Sequence, residues 1–97
     1  MNYILKDGVP VKCDDVLKWA KEFKKSDRII AQDELGGVRV STVFIGIDHG
    51  LGFGKPLLFE TMIFGGEHDE YQERYSTIEK AKEGHKKALS LVEPYFY

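Results

Sequence analysis

Two short apolar blocks open the chain, Tyr3-Ile4-Leu5 and Val9-Pro10-Val11, with Asp7-Gly8 between them. An Asp-Gly pair between such blocks predicts a tight β-hairpin. Pro10 cannot donate to a ladder, so one of the two strands belongs at an edge. The spacing then changes. Val16, Trp19, Ala20 and Phe23 recur at three- and four-residue intervals, which predicts a helix from about Asp14 to Lys24. Asp14 or Asp15 can cap it, and both acids suit the positive end of its dipole. Ser26-Asp27 closes the segment.

Period-two alternation follows. Arg28 to Gln32 predicts a strand, Gly36-Gly37 a turn, and Val38 to Ile47 a long β-branched strand. Val38, Val40, Thr42 and Phe44 share one face of it. Arg39, Ser41, Val43, Ile45 and Ile47 share the other. Its second half is apolar on both sides, the mark of a strand covered twice or used in a subunit contact. A glycine-spaced loop, Asp48 to Pro56, leads to a strand from Leu57 to Phe64, ended by Gly65-Gly66. Glu60 is the polar exception within that strand. Residues 67–73 are polar and predict a loop. The last helix starts at Ser76, where Ser76 and Glu79 have capping-box spacing. Ile78, Ala81, His85, Ala88, Leu89 and Val92 form its inner stripe, and Glu93-Pro94 stops it.

The expected order is β-β-α-β-β-β-α. This is an α+β fold with an antiparallel sheet of about five strands and two helices packed on it. If both helices cover one face of the sheet, the other face needs a partner.

At 97 residues the chain fits a single domain, residues 1–97, with one core. Its 14 basic and 16 acidic residues leave a net charge of −2, without the basic surplus of an unspecific nucleic-acid binder. One cysteine, Cys13, can form neither an internal disulfide nor a Cys-based zinc cluster, which points to a reducing compartment. No apolar run reaches bilayer length, and Met1 to Lys6 lacks the pattern of a signal peptide. These features place the protein in the cytoplasm, off the membrane.

Candidate chemistry is sparse. Gly50, Gly52 and Gly54 with Lys55 could form an anion nest. The spacing fits neither a Walker loop nor a dinucleotide loop, because Pro56 follows Lys55 and the loop opens a strand. A plain connection between strands is the competing account. Asp48-His49, His68-Asp69 and His85 have no metal-ligand spacing, so no metal or other cofactor is assigned. His85 on an apolar stripe reads as a hydrogen-bonded core residue. Glu60 must be solvated, protonated or paired, with His85 or Arg74 as partner. Cys13 beside a helix start has no placed histidine to make it a nucleophile. Phe53 and the terminal Tyr95-Phe96-Tyr97 are candidates for stacking on a base or burying in a partner, unless the tail folds over the sheet.

Three stretches carry a resemblance. They are Arg39 to His49, Pro56 to Gly66, and Arg74-Tyr75-Ser76-Thr77 with Gly84-His85. Together they resemble a group of small bacteriophage- and prophage-encoded proteins without an established activity, over about residues 13–90. The resemblance implies a phage origin, a bacterial host cytoplasm, and an accessory role such as interference with host defence or takeover of a host protein. It assigns no site residues.

The expectation is therefore a non-enzymatic, homo-oligomeric binding protein. It would bind a host protein or sequester a small nucleotide-like anion, the latter through Arg39, His49, Phe53 and Lys55. Two alternatives stand beside it. One is a small metal-assisted or acid/base hydrolase using Asp48, His49, Glu60 and His85, which must then converge. The other is a structural or virion subunit.

Overall fold

The structure is a computed structural model that describes residues 2–25, 28–48 and 54–92. Elements run β1 (Tyr3–Lys6), β2 (Val9–Lys12), α1 (Val16–Lys25), β3 (Ile29–Leu35), β4 (Val38–Phe44), β5 (Phe59–Phe64), β6 (Gln72–Tyr75) and α2 (Ile78–Val92). The fold is α+β and every strand pair is antiparallel. The strands form two sheets, a β1-β2 hairpin and a four-stranded sheet β3-β4-β5-β6, in place of one sheet of about five.

Turn chemistry sets both tight hairpins. Asp7 and Gly8 take φ of 52° and 79°, and Gly36 and Gly37 take 55° and 85°. Paired left-handed residues of this kind match the twist of the flanking strands. The long strand expected to reach Ile47 ends at Phe44. Gly46 breaks it, with φ of 70° and the Phe23 ring where a Cβ would sit. Its carbonyl accepts from the Tyr3 amide at 2.7 Å, so the chain turns there to meet the first hairpin. β6 begins inside the polar segment, residues 67–73, expected as a loop. That strand is polar because it lies at the sheet edge and buries only Tyr75.

Asp15 caps α1, its Oδ1 accepting from the amides of Leu17 and Lys18 at 3.1 Å each. Trp19 and Phe23 stack at 5.0 Å, and Trp19 donates its indole N–H to the Tyr3 carbonyl at 2.9 Å. Val16, expected on the inner stripe, is 63% exposed. It sits in the first turn, ahead of the part of the helix that meets the hairpin. α2 is capped by Thr77, whose Oγ1 accepts from the Lys80 amide, so the Ser76–Glu79 box is replaced by a cap one residue later.

α2 lies against all four strands of the larger sheet. Two apolar clusters result. Val38, Val40, Ile63, Ala88 and Val92 form one, and Phe44, Leu58, Phe59, Tyr75 and Ala81 form the other. Phe23 of α1 and Tyr3 and Leu5 of the hairpin close the second cluster. Phe44 and Phe59 are almost fully buried, each contributing about 1.5–3 kcal/mol of hydrophobic stabilisation.

Candidate functional site

Between the two apolar clusters runs a polar layer. On β4 the inward residues are Val40, Thr42 and Phe44, and on β5 they are Ile63, Thr61 and Phe59. Thr42 and Thr61 are directly opposite in the ladder, and their hydroxyls hydrogen-bond at 2.5 Å. His85 comes down from α2 onto them, its Nδ1 2.7 Å from Thr42 Oγ1. Its Nε2 is 2.8 Å from Asp33 Oδ2 on edge strand β3. An ionised carboxylate only accepts, so Nε2–H donates to Asp33. For a neutral ring, Nδ1 then accepts from Thr42, and Thr42 in turn accepts from Thr61.

The composition of this chain is acid, imidazole and hydroxyl, the set used in nucleophilic hydrolysis. Its orientation is the reverse of what hydrolysis requires. Thr42 and Thr61 have no exposed surface and His85 has 4%, whereas the Asp33 side chain is 50% exposed. The hydroxyl that would attack is the innermost member, and the carboxylate that would only orient the ring faces water. What the layer can do is fasten α2 to β3, β4 and β5 in one register. Nothing in the sequence spacing joins Asp33 to the layer. Its signal is two threonines breaking otherwise apolar inward rows.

Tyr75 borders the layer. Burial raises its hydroxyl pKa, the neighbouring Thr61 hydroxyl opposes the rise, and Glu73 adds to it. Its Oη meets no partner at hydrogen-bonding geometry and lies against Gly84, where any Cβ would overlap it. Gly84 is thus a buried contact point of α2 that the apolar stripe alone does not reveal.

The opposite face of the sheet carries Glu60, Met62 and Phe64 of β5, Arg39, Ser41 and Val43 of β4, and Gln72 and Arg74 of β6. Among the described residues no helix packs over it. Glu60 is paired here: Arg74 Nε donates to its Oε2 at 2.9 Å and Gln72 Nε2 at 2.5 Å. Only 12% of the Glu60 side chain is exposed, and Arg74 is its partner where His85 was the other possibility. Arg39 lies over the Phe64 ring at 5.0 Å. Phe64 is 39% exposed and Ile29, at the β3 edge, 52%.

A shallow cavity of about 230 Å³ lies where the hairpin meets the start of α2, lined by Tyr3, Pro10, Lys55, Pro56, Leu58, Ser76 and Thr77. Lys55, one of the expected ligand-binding residues, is part of this lining.

His49 and Phe53 lie outside the described residues. Arg39 faces Phe64 at one end of the β4-β5 pair, and Lys55 precedes the other end, where Phe44 faces Phe59. Five residue steps along β4 separate those ends, about 17 Å at the usual strand rise. Within one chain, Arg39 and the segment that carries Lys55 therefore approach opposite ends of the β4-β5 pair. The hydrolase set is divided as well. Glu60 and His85 are on opposite faces of the sheet, because neighbours in a strand alternate and Thr61 takes the inward side. Asp48 is half-buried beyond β4, next to Ile47, which bridges Asn2. Among the described residues no three His, Cys, Asp or Glu side chains come together to hold a metal. Cys13 is buried, its Sγ 3.6 Å from the Asp15 carbonyl. No described helix is long and apolar enough to cross a membrane.

Compared with protein-family models, curated proteins and solved structures, the chain has no significant match in any of the three.

Proposed function

We propose that this is a non-catalytic protein-binding module whose contact surface is the uncovered face of the four-stranded sheet. The observation that carries it is the asymmetry of that sheet. α2 covers one side along all four strands, while the other side carries an exposed Phe64 in line with half-buried Val43 and Met62, with polar groups around them. An apolar centre with a polar rim is the usual anatomy of a protein contact. Arg39, already over Phe64, supplies a residue type enriched at such contacts. The burial of Thr42 and His85 favours binding over hydrolysis.

The resemblance to phage-encoded proteins supports a partner in a bacterial host and an accessory role such as inhibition of host defence. The small-anion version loses ground because Arg39 and Lys55 are far apart. The experiment uses immobilised wild type, Phe64→Asp and Leu17→Asp in host lysate. Leu17 on α1 is 79% exposed and away from the face, so its variant is the control. The expected result is a host protein, identified by mass spectrometry and rebound in purified form, that Phe64→Asp loses and Leu17→Asp keeps. A partner retained equally by all three refutes this surface.

A further inference from the structure

We infer that this same sheet face is also where two copies of the chain pack on one another, as a symmetric sheet-on-sheet dimer. The inference rests on the proposal that the face is a contact surface, and names a second copy as an occupant.

Charge is the first argument. The strands place Arg39 and Arg74, and Glu34 and Glu60, on this face, so it carries no net charge. Each cation is also set opposite or beside an anion: Glu34 faces Arg39 across β3-β4, and Glu60 faces Arg74 across β5-β6. A face of one sign would repel its own copy and select a partner of opposite sign. A neutral face with both signs can meet itself. The whole chain carries only −2, so long-range repulsion between copies is weak.

Area is the second argument. Strands of 7, 7, 6 and 4 residues, at about 4.8 Å spacing and about 3.3 Å rise, give a face of about 380 Å² in plan. Its side-chain relief adds to the plan area, so two copies bring together about 900–1,000 Å², the size of a weak, transient contact. That size suits a dimer that forms and dissociates, one a host protein can displace.

Geometry is the third. Isologous contacts use one patch twice, and two sheets stack about 10 Å apart with strand directions within about 30°. A two-fold axis along the strands, between β4 and β5, lays β4 of one copy over β5 of the other. Arg39 of each copy then lies over the partner's Phe64 end, and Ser41 over the partner's Met62.

The test is sedimentation velocity of the full chain across a concentration series from low to high micromolar, for wild type, Phe64→Asp and Met62→Lys. Folding of each variant is checked by circular dichroism and the urea midpoint. A weight-average mass that rises towards twice 11.1 kDa in wild type and stays at 11.1 kDa in both variants is expected. A wild type that stays monomeric throughout overturns the dimer and leaves the host-partner proposal to its own lysate experiment. A dimer that persists in both folded variants places self-association elsewhere and also overturns it.

Discussion

Replacing Thr42 by valine tests the polar layer most directly. Valine matches threonine in shape, so the change removes one hydroxyl and little else. That hydroxyl sits between His85 Nδ1 at 2.7 Å and Thr61 Oγ1 at 2.5 Å, with no exposed surface. Asp33 holds Nε2–H, so the ring cannot turn its other nitrogen inward without breaking that bond. His85 Nδ1 is then a buried acceptor without a donor, which costs about 1–3 kcal/mol. Thr61 can re-aim its hydroxyl at the unpartnered Tyr75 oxygen and loses less. The added methyl returns about 0.8 kcal/mol. The expected net loss is about 2 kcal/mol for T42V. Thr61→Val should cost about 1 kcal/mol or less, because Thr42 keeps its bond to His85 and one orphaned acceptor remains. The double variant should cost about as much as T42V alone, since the same His85 acceptor is orphaned in both. Urea unfolding measures all three, with midpoints falling at constant m-value. In thermal melts, about 2 kcal/mol corresponds to about 8–16 °C for a domain of this size. If T42V lies within about 0.5 kcal/mol of wild type, or if T61V is as costly as T42V, the layer does not work as a directed chain.

Gly84→Ala opposes two effects. Alanine gains about 1 kcal/mol of helix propensity, but its Cβ must displace the buried Tyr75 ring, and overpacking of that kind costs about 1–3 kcal/mol or more. A net loss of stability is expected in a urea titration, and a stabilised G84A would show that Tyr75 is free to move. Tyr71 predicts alkaline behaviour. Burial first, and then its hydrogen bond to Glu73, push its pKa from 10.0 to about 12. The folded state holds that proton more tightly than the unfolded one, so the associated stability is complete below pH 10.0 and is lost as pH rises towards about 12. Tyr71→Phe should flatten the fall of the urea midpoint across that window, and an unchanged slope would remove Tyr71 from the cause.

Much of this fold is written in the chain locally. The turns at Asp7-Gly8 and Gly36-Gly37, the Asp15 cap and the α2 stripe each depend on residues within a few positions of one another. Their signals are backbone φ, capping hydrogen bonds and period, all short-range. β6 was hidden because Gln72, Glu73 and Arg74 are polar in the way any loop is. A strand at a sheet edge needs only one buried residue, Tyr75, to hold it. Thr77 displaced Ser76 as the cap because two adjacent hydroxyl residues leave the helix start undecided until packing fixes it.

The candidate sites divide along the same line. Sequence alone determined the α+β class, the antiparallel pairing of neighbouring strands and the polar exception at Glu60, because these follow from periodicity and connection length. It did not decide which carboxylate meets which base. Asp33 reaches His85 across 52 positions, and Thr42 reaches it across 43. Glu60 took Arg74 and Gln72 on the other face because strand alternation turned it away from α2. The separation of Arg39 from Lys55 is likewise a consequence of β4 and β5 running antiparallel through the middle of the sheet. Contacts of that range depend on register and on which face a helix covers, and only the packed tertiary structure sets both.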